Sequence, residues 1–345
     1  MATPQGALND LSAALSGTSS APLDPSTLSQ PSTLSFIAQD VAAAAASAAP
    51  VAPTTAAPGA PFSAMYVFGD SLSDTGNVSL ATAGQVPVSP PYADRSFTNG
   101  PVWAQDLAHS IGLPALQPSL AGGTDFAYGG AETGQTPVHT LNPTDLPSQY
   151  AQFTSQVSSP QPGALYALWI GSNDVLDIAD NASLTPAQQQ ADVAAAVNNE
   201  SAVIHALAAR GAQDFLVLNV PDLGKTPQET AHGAAAAQTA SSLASLYDQD
   251  LAAALQPLQA SGALKIDLVD TFTVLNQVEA NPAAYGFTDV TQPVWTGNLT
   301  SSSSGTLQAS GAAQNQYLFF DSLHPTAQAH ATLAAGIAQN LTAAV

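Results

Sequence analysis

Ser71 stands directly after the apolar run Met65-Tyr-Val-Phe68 and the turn residues Gly69-Asp70. Four consecutive apolar residues read as a short strand buried on both faces. A serine at the carboxyl end of such a strand projects where open α/β sheets bind ligands. A hydroxyl there is placed to act as a nucleophile, or to cap the next helix. Far along the chain, Asp321 and His324 lie three residues apart in Tyr317-Leu-Phe-Phe-Asp-Ser-Leu-His-Pro325, so one turn sets a carboxylate against an imidazole nitrogen. The carboxylate then fixes the tautomer and stabilises the imidazolium, leaving the other nitrogen to deprotonate a serine. A capping aspartate beside an exposed histidine is the plainer reading of that pair. Gly171-Ser-Asn-Asp174 closes another apolar run and offers the Asn173 amide to a developing oxyanion, or makes only a turn. Phe126-Ala-Tyr-Gly-Gly130 offers a glycine backbone N–H for the same purpose, or a site of close packing.

The elements that must hold these residues follow from the pattern. Apolar runs predict strands at Met65–Phe68, Thr124–Tyr128, Ala164–Ile170, Asp214–Val220 and Leu264–Val269. Helices are expected from Pro101 through Trp103, Leu107 and Ile111, over Pro143–Gln156, from about Pro186 to Ala209, from about Glu229 to Ala260, and over Thr326–Leu341. Buried strands alternating with helices of a dozen residues or more argue for a parallel sheet of about five strands, covered on both faces. That is one domain over residues 61–345. Residues 1–60 are rich in Ala, Ser, Thr and Pro and read as a flexible low-complexity leader, with short helices at Leu11–Leu15 and Leu34–Ala46.

The chain of 345 residues carries only four Lys and Arg against 25 Asp and Glu, a net charge of −21. The imbalance comes from missing bases. Arg95, Arg210, Lys225 and Lys265 are scattered and form no patch to neutralise phosphates, which argues against nucleic acid as a partner. Anionic membrane surfaces are repelled for the same reason, and a neutral small-molecule or lipid ester fits best. There is no cysteine, hence no disulfide, thiolate metal site or cysteine nucleophile. His109, His139, His205, His232 and His330 show no metal-ligand spacing, so no metal and no cofactor is expected. Asp70, Asp74 and Asp174 read as residues that orient loops. The Val41–Ala60 run is interrupted by Pro50, Pro53 and Pro58 and is neither a secretion signal nor a membrane span. No stable membrane insertion is expected, and a monomer is the default.

Taken together and in this order, Ser71, Gly130, Asn173 and His324 resemble the four blocks of the GDSL (SGNH) hydrolase family of esterases and lipases. The resemblance extends over Asn99-Gly-Pro-Val-Trp103, Phe215–Gly224 and Asn281–Phe287, and covers about Phe62 to Val345. It is closest to the bacterial branch with Asp-Ser-Leu-Ser-Asp-Thr-Gly-Asn, which includes secreted esterases, lipases, phospholipases and lipid acyltransferases. The resemblance implies a flavodoxin-like three-layer α/β/α sandwich and no cofactor. It implies Ser71 as nucleophile, His324 as general base and acid, and Asp321 as its orienter. The Ser71 N–H, the Gly130 N–H and the Asn173 amide would form the oxyanion hole. Asp125 stands where the family often carries Asn, so the register of Gly129 and Gly130 is the point to check, and Thr296–Asn315 looks like an insertion beside the triad. The expected activity is serine-dependent hydrolysis of carboxylic esters through an acyl-enzyme. The alternatives are a phospholipase or acyltransferase using the same triad, or a non-catalytic interaction protein on this scaffold. A secreted or cell-surface location is expected from the acidic, cysteine-free chain and a lipolytic role, with the cytoplasm as the alternative.

Overall fold

The computed structural model describes residues 55–343 apart from 94 and 162, together with 41, 44–46, 48 and 51. The leader expected over residues 1–60 and the helix expected at Leu11–Leu15 lie largely or wholly outside these described residues.

The central sheet holds β1 (Met65–Gly69), β2 (Leu165–Trp169), β3 (Asp214–Leu218) and β4 (Lys265–Val269), all parallel, in the order β1-β2-β3-β4. The register runs Met65–Leu165–Asp214–Lys265. The fifth expected stretch, Thr124–Tyr128, lies along the free edge of β1. Val67 N–H donates to the Thr124 carbonyl (3.0 Å), Phe126 N–H to that of Val67 (2.7 Å) and Tyr128 N–H to that of Gly69 (3.1 Å). It forms single parallel bridges instead of a full ladder, because Asp125 also pairs with Pro118 and lends its carboxylate to Thr75. Counting it, the spatial order is 2-1-3-4-5, the flavodoxin-like arrangement, whose ligand crevice opens at the carboxyl ends of the strands on either side of the first one.

Side-chain alternation divides the core. Tyr66, Phe68, Tyr166 and Phe215 face one layer of helices. Met65, Val67, Leu165, Ala167 and Leu216 face the other. The second layer is built by Trp103–Ser110 and Ala327–Ala343, which pack against each other. The first contains Leu146–Gln156, Ser172–Asp180, Pro186–Ala209 and Ala234–Ala260. Phe153 is its hub, meeting Tyr66, Phe68 and Phe126 edge-on at 5.2, 5.6 and 5.5 Å, contacts worth roughly 0.5–1.5 kcal/mol each beyond area burial.

Several elements differ from expectation. The helix expected over Glu229–Ala260 is two, Pro227–Ala231 and Ala234–Ala260, broken at Gly233 with φ 100°. Ser172–Asp180 and Thr271–Ala280 are additional helices. A small second sheet pairs β5 (Asp289–Pro293) with β6 (Tyr317–Phe319) in parallel, and residues 296–315 run between them. Among the described residues no helix is long and apolar enough to cross a membrane.

Candidate active site

The turn after β1 begins at Gly69, whose φ of 155° and position against Trp169 leave no room for a side chain: a Cβ would lie 2.3 Å from the Trp169 carbonyl oxygen. The Gln149 side chain clamps this glycine, accepting its N–H (2.9 Å) and donating to its carbonyl (2.7 Å). Ser71 follows, nearly buried. Its Oγ lies 2.9 Å from Nε2 of His324, and Nδ1 of His324 lies 2.8 Å from Oδ2 of Asp321. Structure thus brings all three together across 253 positions of sequence. The tight loop that presents them is held by Asp321 itself, whose Oδ1 accepts the N–H groups of Leu323 (2.8 Å) and His324 (2.7 Å).

A residue that the sequence does not single out completes the relay. The Tyr92 hydroxyl donates to Asp321 Oδ2 at 2.6 Å, and its ring packs edge-on against Phe320. Its only sequence signal is an aromatic directly after the proline-rich stretch Val86–Pro91, since the contact spans 229 positions. Phe97 packs against the His324 ring at 5.6 Å. Burial would raise the Asp321 carboxyl, but the charge of His324 and the hydrogen bonds from His324 and Tyr92 outweigh it and hold the group below its ordinary value. Burial would likewise lower His324; the charge and hydrogen bond of Asp321, with Asp70 beyond, win and raise the imidazole above its ordinary value.

Around Ser71 the unpaired donors are as informative as the bonds. Gly129 N–H is taken by Asp74 Oδ2 (2.9 Å), and the Phe97 ring sits where a Gly129 Cβ would be. Gly130, one step on, is exposed with φ 78°, and its N–H has no partner among the described residues, nor has that of Ser71. Of the two glycines, therefore, Gly130 has the free donor. Asn173 donates from Nδ2 to the Ala131 carbonyl (2.8 Å), which ties the amide to the same loop and leaves its second N–H to point elsewhere. Asn173, Ser71 and His324 line one cavity.

The nearby aspartates organise backbone. Asp74 accepts from Gly76 (2.7 Å), Asn77 (2.6 Å), Val78 (3.2 Å) and Gly129. Asp174 accepts the N–H and hydroxyl of Thr133 (3.0 and 2.6 Å), the latter through its other oxygen. Asp125 accepts from Thr75 and Ala127. Asp70 is different: Oδ1 accepts from Leu72 (2.9 Å), Oδ2 is buried without a partner, and burial pushes the carboxyl up to about 7.

The expectation that none of the remaining histidines has metal-ligand spacing with carboxylates needs correction for His139 and His232, each of which shares a cluster of ligand atoms within 4.8 Å of one another. His139 lies 2.9 Å from Glu132 and 2.8 Å from Asp145, and is also grouped with Asp177; His232 is grouped with Asp180 and Glu229. Glu132, Asp145 and Glu229 lie within seven residues of their histidine, but Asp177 and Asp180 come from the separate Ser172–Asp180 helix, so the full clusters form only on folding. His139 acts within them as a tie for the loop after Gly130, since Asp145 also accepts the Glu132 N–H (3.1 Å).

Residues 65–337 match the family described as GDSL-like Lipase/Acylhydrolase. Among similar proteins, a phosphatidylcholine-sterol acyltransferase of Aeromonas hydrophila is 29% identical over 238 residues, covering 69% of this chain and 67% of that protein. An acetylesterase of Thermothelomyces thermophilus is 28% identical over 241 residues, covering 66% and 76%. An inactive GDSL esterase/lipase-like protein 25 of Arabidopsis thaliana is 26% identical over 295 residues, covering 77% and 68%.

Proposed function

This chain belongs to the GDSL lipase/acylhydrolase family, and on that footing we propose that Ser71, His324 and Asp321 carry out its hydrolysis of carboxylic esters. His324 Nε2 takes the Ser71 proton as Oγ attacks the ester carbonyl. Asp321, bound to Nδ1–H, holds the tautomer and stabilises the imidazolium that forms. The tetrahedral oxyanion accepts from the Ser71 N–H, the Gly130 N–H and the Asn173 amide. The imidazolium returns its proton to the departing alcohol, leaving an acyl-serine. Water, activated by the same nitrogen, releases the acid and restores Ser71.

One observation carries this assignment: the 2.9 Å and 2.8 Å relay from Ser71 through His324 to Asp321 opens into a cavity lined mainly by apolar side chains. The same cavity favours a second reading. A hydrophobic alcohol that reaches the acyl-serine before water would be acylated, and a relative is a phosphatidylcholine-sterol acyltransferase; the chemistry to that intermediate is identical. A secreted or surface location suits either activity on lipid esters.

The test is hydrolysis of p-nitrophenyl esters and of phosphatidylcholine by the wild type and Ser71→Ala. Turnover by the wild type should fall by at least about 10⁴-fold in the variant, the scale on which triad serines act. Equal turnover by both proteins would refute the assignment, and no turnover by the wild type would favour a non-catalytic scaffold.

A further inference from the structure

We propose that Asp180, Glu229 and His232 bind one divalent transition-metal ion of the zinc class, at a site separate from Ser71 and independent of its role. The three side chains come from two elements. Asp180 is the last residue of the Ser172–Asp180 helix, Glu229 lies within the Pro227–Ala231 helix, and His232 ends that helix as its cap. One ligand atom from each falls within 4.8 Å of the other two. An imidazole nitrogen with two carboxylate oxygens suits zinc, cobalt or nickel, whereas magnesium and calcium prefer oxygen ligands alone.

The spacing is that of ligands and not of hydrogen-bonded partners. Nδ1 of His232 lies 3.5 Å from Oδ1 of Asp180 and 3.8 Å from Oε1 of Glu229. Hydrogen bonds between charged groups settle near about 2.8 Å, the length that His324 and His139 do reach with their aspartates. Around a metal with bonds of about 2.0–2.2 Å, ligand atoms stand roughly 3.0–3.5 Å apart. A small closure of the side chains completes such a set.

Glu229 is the informative member. Its side chain is fully buried and turned toward His232, while those of His232 and Asp180 are 43% and 46% exposed. Oε1 accepts from Gln228 Nε2 at 3.3 Å, and Oε2 is buried with no hydrogen-bond partner. A buried carboxylate is costly unless it is paired or coordinates a metal. Lys225, the basic residue nearest in sequence, is taken by Glu279 at 2.6 Å, and the second carboxylate of the cluster adds repulsion. A divalent cation offsets both charges. The exposed Asp180 and His232 leave it a way in, with water to fill the remaining positions.

The site also joins two elements that reach the active site. Asn173 stands in the first turn of the helix that Asp180 ends. The N–H of Gln228 donates to the carbonyl of Ser322 at 2.8 Å, within the loop that presents Asp321 and His324. An ion held by Asp180 and Glu229 would staple the helix carrying Asn173 to the one that backs the triad loop.

The test uses the full chain, freed of metal with a chelator. It is titrated with Zn²⁺ by calorimetry and with Co²⁺ followed by visible absorption. One Zn²⁺ should bind per chain, the melting temperature should rise by a few degrees at saturating ion, and bound Co²⁺ should show a ligand-field band. His232→Ala and Asp180→Asn alter exposed side chains, so both should melt like the wild type in chelator. Each should bind Zn²⁺ at least about tenfold more weakly and lose the Co²⁺ band and the thermal gain. Glu229→Gln keeps the shape, removes the charge and should do the same. Because the variants alter different ligands, a fold defect in one leaves the others decisive. Absence of saturable Zn²⁺ uptake by the wild type would overturn the proposal, as would equal uptake by the wild type and His232→Ala. So would uptake weakened in His139→Gln and not in His232→Ala, which would put the ion on the Glu132 cluster.

Discussion

At the residue, the arrangement turns on Asp321, which accepts from two backbone N–H groups, the His324 ring and the Tyr92 hydroxyl. His324 must be neutral to take the Ser71 proton, and its pKa is raised above the ordinary value. Activity should therefore be lost as pH falls, with the acid limb of kcat/KM centred above the ordinary histidine value of about 6.5. Tyr92→Phe keeps the ring against Phe320 but removes a donor that spreads the Asp321 charge, so Asp321 acts more strongly on His324. The limb should move to higher pH, activity at pH 6 should fall more than at pH 8, and stability should drop by about 1–3 kcal/mol. A pH–rate profile and a urea melt check both; an unmoved limb would show that Tyr92 only packs.

At the element, the site is four loops, three following the parallel stretches β1, Thr124–Tyr128 and β2 and one following β6, and close backbone approach fixes their spacing. Gly129 is the tightest point: a Cβ there would lie 2.2 Å from Phe97 Cζ, and Phe97 in turn packs on His324. Gly129→Ala should cost about 1–3 kcal/mol as an overpacked site and lower kcat by displacing both Gly130 and His324; a melt together with steady-state kinetics distinguishes this from a neutral change. Elements of this kind are legible in sequence to different degrees. β1, β2 and β3 read directly because burial on both faces makes them continuous apolar runs. β5 is polar and half-exposed and β6 has three residues, so neither carries an alternating signal. Thr271–Ala280 announces itself only through Asp270, whose Oδ1 accepts the Thr273 N–H as a cap (2.9 Å). Gly171-Ser-Asn-Asp174 reads as a turn, yet Ser172 already begins a helix. Of the candidate site, Ser71, Gly130, Asn173, Asp321 and His324 were legible as motif residues, whereas Tyr92 and the cavity depend on contacts that only folding creates.

At the scale of the molecule, an acidic chain buries several carboxyls that burial pushes upward: Asp70 to about 7, Glu200 to about 8 and Asp248 to about 8. Between their unfolded values near 4 and these folded values, the native state binds more protons than the unfolded one. Stability must then fall as pH rises through that window, and self-repulsion of the −21 net charge acts in the same direction. The melting temperature should be higher at pH 5 than at pH 8, by several degrees, and added salt should recover part of the loss at pH 8. Calorimetry across pH 5–8 checks it; a melting temperature that rises over this range would contradict the burial of these groups. Covalent capture of the nucleophile tests the assignment of Ser71. The protein is treated with a fluorophosphonate, and the adduct is located by intact mass and peptide mapping. One phosphonyl group per chain should be found, on Ser71, with esterase activity lost in proportion to labelling. A label on another residue, or esterase activity that survives complete labelling of Ser71, would contradict it.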